Sequence, residues 1–319
     1  MWIIIFNIII ILLLLIIIIL ILLLFIFYII NKYIMNKTLN EVIDYYKNNK
    51  KFNAEKWIEY KANKFNEYLI KNNITSTIVS ISGGIDSATI LGILKYVFDL
   101  PNSNLKNICA VNQPIHSSDW ALNRSKELCD ILNIKLIIID QTDIHDLILK
   151  KLKDSGFEGN VFSNGQLKSY LRTPINYNLA HILSSNGLNS IVIGTGNKDE
   201  DGYLGYFCKY GDGAVDVQLI SDLHKSEVYE VAKKLKIPKS ILVAPPSADL
   251  WDGQEDEKEI GVSYDFIEFY TNYCIQQNKE NEVLNMLTNE SIEKYIEYKN
   301  LCDNIHIRNK HKLSGIINL

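Results

Sequence analysis

The chain has 319 residues, of which 47% are hydrophobic and 22% are charged, and its formal net charge is -4. This composition supports one large α/β domain with an apolar core, and the negative charge argues against a nucleic-acid partner. Five cysteines, widely spaced and without a C-x-x-C pair, favour a reducing compartment and argue against zinc, iron–sulfur or paired-thiol sites built on cysteine.

The first predicted element is an almost unbroken run of Ile, Leu and Phe from Trp2 to Ile30. It is long enough to cross a bilayer, and it lacks the charged n-region and the cleavage site of a signal peptide. Because lysines follow it, the positive-inside rule predicts a single N-terminal anchor with the rest of the chain in the cytoplasm. Alternatively, residues 1–34 are a spurious extension translated from AT-rich DNA, and the native protein starts at Met35. The predicted division is therefore 1–34 and 35–319.

Downstream of residue 35, strand-like and helix-like segments alternate, which predicts a doubly wound parallel sheet with helices on both faces. The predicted strands are 74–81, 107–112, 135–140 and 190–193. The predicted helices are 38–72, 88–97, 119–132, 174–186, 225–235 and 262–277. The stretch from Ser155 to Lys168 is richer in glycine and polar residues, and we expect a mobile loop there.

A glycine turn, Ser82-Gly83-Gly84-Ile85-Asp86-Ser87, joins the first strand to the next helix. Glycines allow the backbone to bring several N–H groups against an anion at the positive end of a helix. The turn has two hydroxyls and a carboxylate in place of the lysine of the common phosphate loop, which suits a pyrophosphate and its Mg²⁺ ion. The alternative interpretation is a tight turn in which Asp-Ser caps the helix.

The hexapeptide resembles the signature of the ATP pyrophosphatases, which split ATP between its α and β phosphates. Later blocks resemble the NAD synthetases, and the resemblance covers roughly residues 40 to 312. These blocks begin at Gly194, Lys209, Asp222, Pro245 and Gly261. The resemblance implies a Rossmann-like fold of the ATP pyrophosphatase type, and a ligase that uses ATP to amidate deamido-NAD to NAD, releasing AMP and pyrophosphate. Family members of this length are usually homodimers, and we expect the same.

The nitrogen donor follows from the length of the chain before the first strand. Only about 70 residues precede that strand, too few for the nitrilase-like domain with which larger NAD synthetases release ammonia from glutamine. We therefore expect free ammonia, or ammonia delivered by a separate protein, as the nitrogen source.

Two carboxylates are candidates for the magnesium ion. Asp86 and Glu200 each follow a predicted strand, so both loops should open at the same carboxyl edge of the sheet. Magnesium prefers a few carboxylates with phosphate oxygens and water. Asp212, between two glycines, is a candidate for orienting or deprotonating ammonia.

Further site residues are implied by the resemblance or by position along the chain. Lys225 is expected to contact ATP phosphate, and Thr195, Ser247 and Ser80 to complete the ATP site. The expected contacts of deamido-NAD are Arg172, Lys209, Asp216, His311 and Lys312. Gln113, at the end of the second strand, either borders the adenine or only precedes a strand-terminating proline.

One block departs from the family pattern. Many NAD synthetases have an N-x-x-x-R-x-R stretch, whereas this chain has Gln166-Leu167-Lys168-Ser169-Tyr170-Leu171-Arg172. Tyr170 occupies the position of an arginine expected to hold deamido-NAD, and a phenol lacks the charge and the donor fork of a guanidinium. Two other hypotheses stay open. The glycine motif alone does not specify the reaction, so the chain could be a pyrophosphatase acting on a different acceptor such as a tRNA base, and Tyr170 supports a non-catalytic, membrane-tethered nucleotide-binding protein.

Overall fold

The computed structural model describes residues 2–34, 36–247, 249–251 and 253–315. The chain divides into two compact units, Met1–Lys50 with Phe269–Lys299, and Lys51–Glu268 with Asn300–Leu319. The helices are α1 (Trp2–Ile34), α2 (Leu39–Asn49), α3 (Ala54–Lys71), α4 (Ile85–Phe98), α5 (Asp119–Ile131), α6 (Thr142–Asp154), α7 (Val161–Ser185), α8 (Lys225–Lys234), α9 (Lys239–Leu242), α10 (Asp256–Ile260), α11 (Tyr264–Glu268), α12 (Glu280–Met286) and α13 (Asn289–Leu313), with π-helical segments at Lys198–Leu204 and Phe269–Gln276.

Within the described residues of the larger unit, five parallel strands form a sheet in the order β3-β2-β1-β4-β5. The strands are β1 (Ser76–Ser80), β2 (Asn107–Asn112), β3 (Leu136–Ile138), β4 (Ser190–Gly194) and β5 (Val217–Gln218). Chain order reverses direction at β1, whose neighbours are β2 and β4. Ligands of such sheets bind outside the carboxyl ends of the strands at this reversal, so the loops after β1 and β4 should form the site.

The sheet is buried on both faces. Along β1, Ile78 and Val79 are both fully buried and point to opposite sides of the sheet. Val79 packs in the main apolar core with residues of α3, α4, α5 and α8, whereas Ile78 packs in a second cluster with residues of α7. This arrangement confirms the predicted doubly wound α/β fold with helices on both faces.

The smaller unit contains α1, α2, α12 and the second π-helical segment. Lys37 and Leu287 form an isolated parallel bridge, and Tyr46 packs against Phe269. Side chains of α1 are described without a gap only over residues 12–26. Among the described residues, no helix is both long and apolar enough to cross a membrane, so the predicted anchor at residues 2–30 is not supported.

Several predicted boundaries are confirmed and others are wrong. The strand at 107–112 and the helices at 119–132 and 225–235 lie within a residue of their predicted limits. The predicted helix 38–72 is two helices, because Lys50 is extended and Asn53 begins α3 as its N-cap.

The predicted loop at 155–168 is helical over its second half. A reciprocal pair of hydrogen bonds between Asn160 and Ser163 starts α7 there, and the helix continues through Pro174. The loop prediction therefore holds for residues 155–160 and is wrong from Val161 onward, where α7 begins.

Candidate active site

The glycine turn follows β1 directly, and its own hydroxyls hold its shape. Ser82 donates its backbone N–H to Ser87 Oγ at 3.2 Å, and Gly84 donates its N–H to Ser82 Oγ at 3.2 Å. Ser87 Oγ donates in turn to the Gly84 carbonyl at 3.1 Å. Gly83 has φ +84°, and a Cβ there would overlap the carbonyl oxygen of Ala121. Only glycine fits that position without strain.

The turn delivers the N-terminus of α4 to a cavity. Gly84 is the N-cap of α4 and supplies no side-chain cap, which leaves the first amide groups of the helix available to an anion. Ile85, Asp86 and Ser87 form the first turn of the helix, and all three line a cavity of about 150 Å³. The turn therefore presents the N-terminus of α4 to a cavity, which is the geometry that an anion-binding turn requires.

Three charged groups meet beside the turn. The buried ammonium of Lys225, at the start of α8, lies 2.7 Å from Asp86 Oδ2 and 2.7 Å from Glu200 Oε1. Burial alone would lower the pKa of Lys225, but the two carboxylates outweigh it and raise that pKa. Burial raises the pKa of Asp86, and Glu200 adds to this effect. Burial also acts to raise the pKa of Glu200, but Lys225 outweighs it and lowers that pKa.

A buried asparagine ties the two strand-end loops together. Asn197 Nδ2 donates to Asp86 Oδ1 at 3.0 Å, while Asn197 Oδ1 accepts the N–H groups of Asp199 and Glu200. Asp199 Oδ2 accepts the backbone N–H of Lys225 at 2.8 Å. The loops after β1 and β4 and the start of α8 are thus one hydrogen-bonded assembly, which brings together the predicted metal pair and the predicted phosphate-binding lysine.

A third carboxylate, not predicted from the sequence, lies at this cluster. Asp256 begins α10, is 5% exposed, and its Oδ1 atom is buried without a hydrogen-bond partner. Tyr264 donates its hydroxyl to Glu200 Oε1 at 2.6 Å and lies 3.2 Å from Asp256 Oδ2. Burial, followed by the charge of Glu200, raises the pKa of Asp256 to about 7.

The carboxylate oxygens of this cluster are suitable ligands for a hard cation. Carboxylate oxygens are the ligands that Mg²⁺ prefers, and the unpartnered Asp256 Oδ1 is an oxygen that a cation would satisfy. The residues present therefore fit the predicted ion, with Asp86 and Glu200 as its carboxylates and Asp256 beside them.

A second, larger cavity of about 910 Å³ adjoins the first. The size is in the range of ligand-binding pockets, whereas the smaller cavity has room for little more than a phosphate group or two. Ser80 lines the larger cavity, Ser247 lines the smaller one, and Thr195 lines both. The residues shared by the two cavities are Ser82, Thr195, Tyr206, Asp212 and Asp249.

Asp212 lies at the junction of the two cavities. Its Oδ1 accepts from Ser169 Oγ at 2.8 Å and from the backbone N–H of Cys208 at 2.9 Å. Its side chain is open to the cavity, but the surrounding protein desolvates it and raises its pKa. Arg172 lines the larger cavity nearby, and burial lowers its pKa against the opposing pull of Asp212.

The family-departing tyrosine faces the larger cavity. Tyr170 lines it and is 44% exposed. Burial, followed by the neighbouring Cys208, raises the pKa of Tyr170. Lys312 reaches the same cavity from the end of α13 and donates to the carbonyls of Gly205 and Phe207 at 3.1 and 3.0 Å.

Three predicted substrate contacts are not brought to either cavity. Lys209 donates to the backbone carbonyls of His311 and Gly315, each at 3.2 Å. His311 is exposed, and its Nδ1 lies 3.1 Å from the Arg308 carbonyl. Asp216 Oδ2 accepts the backbone N–H of Val192 at 2.8 Å, which ties the segment before β5 to β4.

Two arginines at the cavities were missed by sequence reasoning. Arg124 lines the smaller cavity and stacks on Trp120, 4.4 Å from the ring centroid. The four-residue spacing of this pair on a helix that follows a strand end was the signal that could have found it. Arg308 lines the larger cavity from α13, which is not among the predicted helices.

Comparison with known proteins assigns a family to this geometry. The NAD synthase family model matches residues 57–314. The NH(3)-dependent NAD(+) synthetase of Alkaliphilus oremlandii is 36% identical over 219 residues, covering 68% of this chain and 84% of the relative. The enzyme of the same name from Mesoplasma florum is 33% identical over 263 residues, covering 82% and 96%.

Solved structures agree at the level of the fold. The NMN synthetase of Francisella tularensis has a TM-score of 0.69 and 27% identity, covering 84% of this chain and 99% of that chain. The NH3-dependent NAD synthetase of Campylobacter jejuni shares the fold with a TM-score of 0.64 and 23% identity, covering 84% and 100%. The matched family model spans the glycine turn, the charged cluster and both cavities, and the chain belongs to the NAD synthase family.

Proposed function

We propose that this chain is an ammonia-dependent NAD synthetase, with residues 35–319 as the synthetase domain. The observation that supports it most directly is the meeting of Lys225, Asp86 and Glu200 beside the glycine turn, in a cavity that adjoins a larger one. The smaller cavity has the size and donors for a pyrophosphate, and the larger one can hold organic groups. A reaction that splits ATP next to a second substrate needs this division.

The first step activates the nicotinate carboxylate of deamido-NAD. A carboxylate oxygen attacks the α-phosphorus of ATP, the bond to the bridging oxygen breaks, and pyrophosphate leaves with that electron pair. The Ser82–Ser87 amides and hydroxyls and the Lys225 ammonium are placed to receive the negative charge that develops on the leaving group. Thr195 and Ser247 supply further hydroxyl donors to the phosphates.

A magnesium ion held by Asp86 and Glu200 would neutralise phosphate charge and orient the pyrophosphate. Asp256, with its pKa raised to about 7, is half ionised near neutral pH and is placed to compensate a cation arriving at the cluster. Lys225 lies between the two carboxylates and holds them at one place before any ligand arrives.

The second step forms the amide. Ammonia attacks the acyl carbon of the nicotinyl adenylate, the acyl–oxygen bond breaks, AMP leaves with that electron pair, and the new amide nitrogen releases one proton to solvent. Ammonium must lose a proton before its nitrogen can attack, and Asp212 at the junction of the cavities is placed to orient it or to accept the proton.

Deamido-NAD would lie in the larger cavity, where Arg172 and Lys312 supply positive charge and Ser80 lies beside the ATP site. Lys209, Asp216 and His311 remain proposed contacts whose use would require movement on binding or a second copy of the chain. A homodimer is part of this proposal, and light scattering on the purified protein tests it. The cytoplasmic location of the synthetase domain also stays a prediction.

A second acceptor, nicotinate mononucleotide, is supported by two specific observations. One is the likeness to the NMN synthetase of Francisella tularensis. The other is Tyr170, which lies where the family pattern has an arginine expected to contact deamido-NAD. A tyrosine supplies no positive charge for the second phosphate-bearing half that deamido-NAD has and nicotinate mononucleotide lacks.

One assay separates these hypotheses. The protein is incubated with ATP, Mg²⁺ and ammonium, and with deamido-NAD or nicotinate mononucleotide in parallel, and AMP, pyrophosphate and amidated product are quantified. We expect NAD and AMP in equal amounts with deamido-NAD, at a kcat/KM above that for the mononucleotide. A higher kcat/KM for the mononucleotide would identify the mononucleotide, and not deamido-NAD, as the substrate. If ATP is not consumed with either acceptor, or if nucleotide binds without turnover, the proposal is overturned.

A further inference from the structure

A group of metal-ligating side chains lies outside both cavities, next to the ends of β2 and β3. His116 is in the loop after β2, and His145 and Asp146 are in α6. One potential ligand atom of each lies within 4.8 Å of the others. His116 Nε2 is 2.7 Å from Asp146 Oδ1, and His145 Nδ1 is 3.1 Å from the same oxygen.

The hydrogen bond on the far side of one imidazole indicates how the group is used. His145 is 4% exposed, and its Nε2 lies 3.3 Å from the backbone carbonyl of Asn164. A neutral imidazole that donates Nε2–H to this carbonyl turns the lone pair of Nδ1 toward Asp146 Oδ1. In that tautomer the two acceptors, 3.1 Å apart, repel each other unless a proton or a metal cation lies between them. Ligating histidines usually donate their other N–H to a carbonyl or a carboxylate in this way.

We propose that His116, His145 and Asp146 bind a divalent transition-metal ion of the Zn²⁺ type, with water at the fourth position. Zinc bonds nitrogen and oxygen at about 2.0–2.2 Å, so two of its tetrahedral ligands lie about 3.3 Å apart. The His145–Asp146 separation is already close to this value. The His116–Asp146 separation has to open by about 0.6 Å to reach it, and both side chains are about half exposed and free to adjust.

The loop position of His116 is fixed before a metal arrives. Its φ of +50° is in the left-handed region, and its backbone N–H donates to Thr142 Oγ1, at the start of α6, at 3.2 Å. The ring of His116 also packs edge-on against that of His145, with centroids 5.6 Å apart. Two segments distant in sequence thus present their ligands to one point.

The ligand set distinguishes this site from the carboxylate cluster. Imidazole nitrogens favour Zn²⁺, Co²⁺ and related ions, whereas Mg²⁺ prefers oxygen ligands and retains its waters. The two metals can therefore be bound at the same time, each at its own site.

A bound metal would brace one wall of the larger cavity. Ser117, next to His116, lines that cavity, as do Phe162 and Gln166 on either side of Asn164. A metal that links the β2–α5 loop to α6, and α6 through His145 to α7, would hold these lining segments in place. We expect the ion to raise the melting temperature and to tighten substrate binding, with no part in the chemistry.

The test is metal binding by the full chain, with His116→Ala and His145→Ala as site variants and His181→Ala as the matched control. His181 is an exposed histidine on α7, outside the proposed site. Equilibrium dialysis against micromolar Zn²⁺ is done in millimolar Mg²⁺, which occupies the oxygen site. Co²⁺ absorption in the visible range reports the ligand geometry.

We expect one Zn²⁺ per chain in the parent and in His181→Ala. Affinity should fall by at least about tenfold in each site variant, since outer-shell changes alone cost 10–100-fold, and the Co²⁺ bands should be lost. Equal binding by the parent and His116→Ala would overturn the proposal, as would the absence of Zn²⁺ binding by the parent. If His145→Ala fails to fold, His116→Ala decides alone, because its side chain is 48% exposed. The readout is binding, so its outcome is independent of the synthetase activity.

Discussion

At the residue scale, the arrangement depends on one buried ammonium. Lys225 contacts both Asp86 and Glu200, and side chains of this cluster are largely removed from water. Without the lysine, two carboxylates would face each other in a poorly solvated pocket. Removing one partner of a buried ion pair is costly because it leaves an uncompensated charge.

We expect Lys225→Met to lower the free energy of unfolding by about 3–5 kcal/mol in the absence of divalent cations. Added Mg²⁺ should restore part of this loss, because a cation can take the place of the ammonium between the carboxylates. Urea unfolding with and without Mg²⁺ measures both effects. The control is Lys95→Met, which breaks an exposed pair with Asp99 and should cost no more than about 1 kcal/mol. Equal losses in the two variants would contradict this view of the cluster.

Asp256 gives the protein a pH-dependent stability. Its pKa of about 7 in the folded protein lies above the ordinary value of 3.8, so the folded state binds the extra proton between these values. The contribution of this group to stability therefore falls as pH rises from about 4 to 7, and stays low above that range.

We expect Asp256→Asn to raise the melting temperature relative to the parent at pH 8, and to have little effect at pH 4, where both side chains are neutral. Calorimetry across this pH range in metal-free buffer measures the difference. Mg²⁺ should reduce the advantage of the variant, since a bound cation favours the carboxylate. A variant less stable than the parent at pH 8 would show that the buried carboxylate is already compensated.

The sequence predicts the metal pair but not its surroundings, and the reason is distance along the chain. Asp86 and Glu200 each follow a strand of a parallel sheet, so topology alone brings them to one edge. Asp256 and Tyr264 come from the segment after the last strand, whose path across the site follows no strand-order rule. Lys209 and His311 show the converse, since a motif match places a residue near the site without fixing where its side chain points.

At the element scale, the strand–turn–helix unit at β1 and α4 combines a backbone requirement with a packing requirement. Gly83 has a positive φ and also lies against α5. Elsewhere, local pattern misled the prediction: α7 starts amid glycine and polar residues, and the helix predicted at 262–277 contains a π-helical segment from Phe269 onward. Apolar periodicity does not report caps or irregular helical turns, so these boundaries could not be derived from it.

We expect Gly83→Ala to destabilise the protein and to abolish ATP binding. Gly156→Ala is the matched control, because Gly156 has nearly the same φ, +86°, but has no atom within 4 Å of an added Cβ. The control should cost only the conformational strain of an alanine at positive φ, about 1–2 kcal/mol. Thermal unfolding and ATP titration compare the two. Equal effects would mean that the contact of Gly83 with Ala121 does not constrain the turn.

At the scale of the whole molecule, the positive charges that matter for substrate binding are a few side chains at the cavities, and the protein has no overall excess of positive charge. The formal net charge is -4, yet the substrates of the proposed reaction are polyanions. Arg124 and Lys225 line the smaller cavity, and Arg172, Arg308 and Lys312 line the larger one. Attraction of the substrates therefore depends on a few placed cations, since the overall field repels them.

The proposed function depends most on the glycine turn, which lies beside Lys225 in the smaller cavity. One substitution in the turn tests its assignment to the leaving group most directly. Ser87→Ala removes the hydroxyl that joins Ser82 to Gly84, while Ser185→Ala removes an exposed hydroxyl at the end of α7. Pyrophosphate release is measured for both variants and the parent, with ATP, Mg²⁺, ammonium and deamido-NAD. We expect Ser87→Ala to lose about 10²–10³ in kcat/KM for ATP and Ser185→Ala to match the parent. Folded Ser87→Ala or Asp86→Ala protein that released pyrophosphate as fast as the parent would contradict the assignment of this turn to the leaving group.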